Sequence, residues 1–198
     1  MTTRNQQVAR IDYERDAEID GAIEDAVVAS VVEHARTADA VLVSDYLKGV
    51  ISRSVARACV KEAERRGIPV LVDPKVPHID YYEGATVITP NHHEAESITN
   101  LRIRTADEAR AAAERVRSRT QCQSVLITRG EHGMWLLATD GETDLPAEAL
   151  EVSDVTGAGD TVIAALALGL AAGACSPMPR ISPIARPASS SASSVLQP

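Results

Sequence analysis

Short runs with apolar residues at successive positions alternate along this chain with longer stretches whose apolar positions recur at helical spacing. Residues 40–43, 68–72, 86–89 and 124–128 are the short runs, and their lack of a polar alternate position predicts strands covered on both faces. Between them, Ile23, Val27, Val28 and Val31 predict a helix over residues 19–34. Ser52 is placed to cap a second helix that ends at Arg66, with Gly67 in the usual C-terminal position. Pro90 stops the third run and permits a helix to begin. Thr105 heads another, with Asp107 and Glu108 in a first turn where the helix dipole favours carboxylates and Arg115, Arg117 and Arg119 near its end. After a turn at residues 130–133, residues 134–138 predict a neighbouring strand, and Asp140-Gly141 a hairpin leading back toward the loop before Asp154. Val8, Ile11 and Tyr13 partly alternate, which predicts one more strand over residues 5–13.

The helix predicted over residues 161–172 differs from the rest. It is apolar nearly all round, so deep burial and a rigid mount for the loop before it are expected. Together the elements predict an α/β fold with a doubly wound, mainly parallel sheet and helices on both faces. One domain over residues 1–174 is expected, followed by a tail, 175–198, so rich in Ser, Pro and Ala that disorder is the expectation.

Charge and composition narrow the partners. A net charge of -8 argues against nucleic acid, whose backbone demands clustered Lys and Arg. Cys59, Cys122 and Cys175 form no CxxC pair, so a reducing, cytoplasmic setting is expected rather than a disulfide framework or zinc knuckle. No run approaches the roughly 18 apolar residues of a membrane span, and no membrane partner is expected.

In open α/β sheets ligands collect beyond the carboxyl ends of the strands, which singles out Asp45 with Lys48, Asp73 with Lys75, Asn91 with Glu94, Thr128 with Gly130, and Asp154 to Asp160. Gly157, Ala158 and Gly159 precede Asp160 at a helix start, where unhindered backbone amides meet an anion and Asp160 accepts the proton of an attacking hydroxyl. The alternative is a Gly-rich turn whose Asp only caps the helix. Asp154 and Thr156 beside it favour function. Asn91 and Glu94, three apart, share a helix face and reach a ligand or hydrated Mg²⁺, or else form a capping box. His92 and His93 point roughly 100° apart without HExxH spacing, so solvent or a pocket edge is their expected place. Lys75 and Lys48 either neutralise a phosphate or are solvated. Thr128-Arg-Gly130 reads as a turn or as a phosphate-side loop. GxxxxGK[ST], GxGxxG after a first strand, and GxSxG are all missing.

Asn91-His-His-Glu94, Thr128-Arg-Gly-Glu-His-Gly133 and Asp154-Val-Thr-Gly-Ala-Gly-Asp160, in this order, resemble the ribokinase/PfkB family of carbohydrate kinases. More narrowly, Thr3-Arg-Asn-Gln-Gln7, Ser44-Asp-Tyr-Leu-Lys-Gly49 and Asp73-Pro-Lys75 resemble the heptose-7-phosphate kinase half of bifunctional ADP-heptose synthases. The resemblance implies a ribokinase-like fold and phosphorylation of D-glycero-β-D-manno-heptose 7-phosphate with ATP and Mg²⁺, toward lipopolysaccharide. It further implies Asp160 as catalytic base, Gly157, Ala158 and Gly159 as anion hole, and Asn91 and Glu94 organising Mg²⁺ (Glu94 through water) and the ATP phosphates. Thr128 and Gly130 would border the nucleotide, and Asp45, Lys48, Lys75 and Asp154 the acceptor or its phosphate. Members of this family carry a further N-terminal region with much of the sugar pocket and a lid through which they pair as homodimers, so a truncated domain is expected here. The family's Ala-rich final helix is replaced from Ser176 onward, and a frame-shifted end is the expectation. Another PfkB-type sugar or nucleoside kinase, or a non-catalytic remnant that at most binds nucleotide, is the alternative.

Overall fold

The computed structural model describes residues 17–147 and 157–173. The strand expected over 5–13, Asp154, Thr156 and the tail 175–198 lie outside the described residues. Four strands, β1 (Val41–Ser44), β2 (Val70–Asp73), β3 (Val87–Ile88) and β4 (Ser124–Thr128), pair in parallel and in chain order. β5 (Met134–Ala138) and β6 (Gly141–Leu145) extend the sheet antiparallel beyond β4. The runs predicted as strands are strands, each within a residue or two of its expected bounds.

The helices are α1 (Gly21–Ala35), α2 (Arg53–Arg66), α3 (His92–Thr99), α4 (Ala106–Thr120) and α5 (Ala158–Ala171). Their ends follow local chemistry. The Ser52 hydroxyl accepts the Val55 N–H, and Gly67 takes the left-handed conformation that ends α2. Thr105 and Glu108 form a reciprocal capping box at the start of α4. One element had no signal in the hydrophobic pattern: a 3₁₀ segment at Val76–Tyr81 between β2 and β3.

Successive residues of each strand face opposite ways, and that divides the core in two. Val70, Val72, Ile88, Val125 and Ile127 point toward one face, where Ala56 and Ala63 of α2, Ala95 of α3, and Ala109, Ala112, Ala113 and Val116 of α4 meet them. Alanines at i, i+3 and i+4 on α4, with Val116 completing the stripe, let its backbone come close to the sheet. Leu71 and Val87 point the other way, onto Ile163 of α5, while Leu126, Leu136 and Ala138 form a second cluster near Val162 and Leu166. Helices therefore cover both faces, as expected of the α/β fold; among the described residues the connecting helices share one face and α5 packs on the other.

The deep burial expected of α5 is overturned. Ile163 is its one buried residue among those described, and Leu168 is 73% exposed. A helix lying on a sheet buries one stripe, here Ile163, Leu166, Ala167 and Leu170; only a further layer would bury the rest.

Candidate active site

The carboxyl ends of β1 to β4 and the first turn of α5 converge on one edge of the sheet. Ser44 is paired in register with Asp73, so the polar residues that follow β1 and end β2 are neighbours. Asn91, just past β3, bridges to Thr128 at the end of β4, and the Thr128 N–H donates to the Pro90 carbonyl at 3.1 Å. Gly157, at φ +79, turns the chain into α5 and accepts from both the N–H and the hydroxyl of Thr161 at 3.0 Å. The first-turn amides of such a helix have no intrahelical acceptor and point out along the axis. Asp160 lies in that turn and is exposed.

Asn91 and Glu94 make a capping box, the Asn91 side chain accepting the Glu94 N–H at 3.0 Å and Glu94 accepting the Asn91 N–H at 2.9 Å. The other Glu94 oxygen accepts from Lys75 Nζ at 2.5 Å. Lys75 is thus fixed over the site by an ion pair rather than loose in solvent. Burial opposes its charge, but the Glu94 hydrogen bond and the nearby carboxylates of Glu94, Asp73 and Asp45 outweigh that and hold its pKa above the ordinary lysine value. His93 is exposed and its ring lies 3.8 Å from that of His92, which borders a cavity with Arg104, Arg129 and Gly130, in keeping with the expected solvent and pocket-edge positions.

Asp73, singled out in the sequence together with Lys75, has an environment of its own. Burial raises its pKa to about 6; Lys75 opposes the rise, and Glu94, Asp160 and Asp45 add to it. Its carboxyl thus lies among three other acidic side chains and beside Lys75. Its signal in the sequence was position alone, the last residue of a strand. Cys59 and Cys122 are buried thiols whose pKa values burial raises, so neither is a ready nucleophile.

Asp45 turns inward and is bonded within the fold. It is 1% exposed; Oδ2 accepts the Tyr82 hydroxyl at 2.7 Å and lies 2.8 Å from His78 Nδ1, and Oδ1 accepts the Leu47 N–H at 2.8 Å. A buried carboxylate needs such partners, and they come from the 3₁₀ segment and its end, which no periodicity announced. Lys48 stays on the exposed loop beside it. Leu47 has φ +53, a left-handed conformation that costs a branched residue about 1–2 kcal/mol. On the same loop, the Tyr46 hydroxyl donates to the Asp160 carboxylate.

The chain matches the pfkB family carbohydrate kinase model over residues 7–178, and it belongs to that family. Among curated relatives it is 47% identical to the Bifunctional protein HldE of Trichlorobacter lovleyi and 45% identical to that of Geotalea uraniireducens, each over 170 residues. These alignments take in 85% of this chain and 35% of each relative, so the chain spans about a third of their length. Solved structures show the fold. The tetrameric inhibited form of phosphofructokinase-2 from Escherichia coli superposes with TM-score 0.67 at 18% identity, over 79% of this chain and 52% of that one. Arabidopsis thaliana ribokinase complexed with ribose and ATP gives 0.60 at 24% identity, over 73% and 46%.

Proposed function

We propose that this chain is the phosphoryl-transfer half of a sugar-phosphate kinase, acting on D-glycero-β-D-manno-heptose 7-phosphate with ATP. The observation that carries the reading is the placement of Asp160: an exposed carboxylate in the first turn of α5, over amides that lack intrahelical acceptors, beside Asp73 and the Lys75–Glu94 pair. The likeness to HldE proteins supports heptose as the acceptor.

In this reading the acceptor hydroxyl gives its proton to Asp160 as its oxygen bonds the terminal phosphorus of ATP, and the bond from that phosphorus to the ADP oxygen breaks. The amides of Gly157, Ala158 and Gly159 hold the migrating phosphoryl group. Thr128 and Gly130 border the nucleotide, and Lys75, with Lys48 and Asp154, serves the acceptor side. The donor set suits Mg²⁺, since carboxylate oxygens are hard ligands. Asn91 and Glu94 would stand behind water bound to such an ion. Mg²⁺ supplies charge neutralisation when bound; the proton transfer and the positioning belong to the chain.

An ADP-release assay with a panel of acceptors tests the reading. Turnover with heptose 7-phosphate above fructose 6-phosphate, ribose and nucleosides is expected. Preference for another acceptor would move the chain to a different PfkB-type activity, and calorimetric Mg-ATP binding without any turnover would make it a nucleotide-binding remnant.

A further inference from the structure

Tyr46 is 56% exposed at the rim of the site, yet its hydroxyl donates to both oxygens of Asp160, at 3.1 and 3.2 Å, across 114 positions of chain. The loop that carries it is built rather than loose. The Asp45 carboxylate holds the Leu47 N–H and thereby the left-handed turn at Leu47, and Tyr82 and His78 hold Asp45 from the interior. Three residues on from Tyr46, Gly49 has φ +83, and a Cβ there would lie 2.1 Å from the Ala17 carbonyl oxygen. The Ile19 N–H donates to the Gly49 carbonyl at 2.8 Å, which clamps the loop at that end as well. A buried acidic side chain and a strained leucine are expensive ways to present an aromatic ring to solvent, and an exposed hydrogen bond returns little stability. Strain of this kind concentrates where geometry serves function.

We propose that Tyr46 is the positioning residue of Asp160: from a loop shaped by buried Asp45, its hydroxyl restrains the carboxylate that receives the acceptor proton. The proposal rests on Asp160 being the base. An exposed aspartate without such a partner rotates freely about its side-chain bonds. One shared donor restrains that rotation and leaves each oxygen a further lone pair for the acceptor hydroxyl. Asp45 then belongs to the site through the loop, not through the sugar, and Asp45, Tyr46, Leu47 and Gly49 each take part in shaping or using that loop.

The test pairs crystal structures of this chain and of its Tyr46→Phe variant with kinetics on both, using Mg-ATP and heptose 7-phosphate. Removal of a hydroxyl from an exposed ring leaves folding intact, so an unchanged thermal midpoint is expected. In the variant the Asp160 side chain should occupy more than one rotamer. Its kcat should fall at least about fivefold while KM for both substrates moves less than about twofold, the mark of an interaction that matters in the transition state. An Asp160 that keeps a single, unmoved rotamer in the variant, an unchanged kcat, or a loss confined to KM would overturn the proposal. Should the parent chain show no turnover with any acceptor, the reading of Asp160 as base fails, while the two crystal structures still decide whether Tyr46 restrains it.

Discussion

The two faces of the sheet are built to different standards. On the face of the connecting helices, small side chains from α2, α3 and α4 bring helix backbones down onto Val72, Ile88, Val125 and Ile127, all fully buried. On the other, α5 rests on Leu71 and Val87 through a single stripe centred on Ile163. Lys75, Asn91 and Glu94 sit on the short connections that lead from the strands into the well-packed face, while Asp73 and Thr128 alternate with Val72 and Ile127 and so face the side of α5. The sparse face carries Asp160. Lys75 and Glu94 are fixed to each other and to the start of α3, whereas Asp160 rests on a lightly seated helix and on its contact with Tyr46 at the rim.

That contrast is breakable. The largest effect expected is on turnover: Asp160→Asn should lower kcat at least about 10²-fold with ATP binding retained, read by ADP release and calorimetry; equal activity would remove Asp160 from the mechanism. Next come the core substitutions. Ile88→Ala on the dense face should destabilise by about 4 kcal/mol and Ile163→Ala on the sparse one by about 2, because a thin layer relaxes around a cavity more readily; denaturant titration of both checks the order. Equal losses would show that the faces are equally tight. A smaller loss, about 1 kcal/mol, is expected for Asn91→Ala, which removes the side-chain half of the α3 capping box. Leu168→Ser on the exposed side of α5 should stay within about 0.5 kcal/mol.

Asp73 sharpens the comparison through pH. Folded, it keeps its proton up to about pH 6; unfolded, it releases it near the model-peptide value of 3.8. Between those values the folded state binds more protons, so this residue's contribution to stability is greatest below about pH 4 and is lost as pH rises through about 6. Asp73→Asn should flatten that part of the thermal-midpoint profile. A variant whose profile between pH 4 and 6 matches the parent's would show that Asp73 is not the group held neutral.

Much of this arrangement was legible from local pattern. Short runs with apolar residues at successive positions predict strands because a strand covered on both faces has no polar side, and Ser52, Gly67 and Thr105 mark helix ends through hydrogen bonds made within a few residues. Asn91 and Glu94 illustrate the limit of such reading. Ligand contact and capping box both predict the same pair three apart, and the fold shows the box completed and Glu94 also bound to Lys75, nineteen positions away. For α5 the pattern misled, since an apolar surface states what a helix tolerates next to it and not what is there.

Local chemistry along the chain therefore determined the strands, the helix ends, the glycine turn before Asp160 and the family to which they belong, because each depends on neighbours a few residues apart. Tertiary structure alone decided that the connecting helices crowd one face, that Asp45 turns inward to His78 and Tyr82, and that Tyr46 meets Asp160. Those contacts join segments tens of residues apart, and no periodicity within either segment encodes a partner on the other; only the stacking of strands in order, with α5 laid across them, brings their side chains within hydrogen-bonding reach.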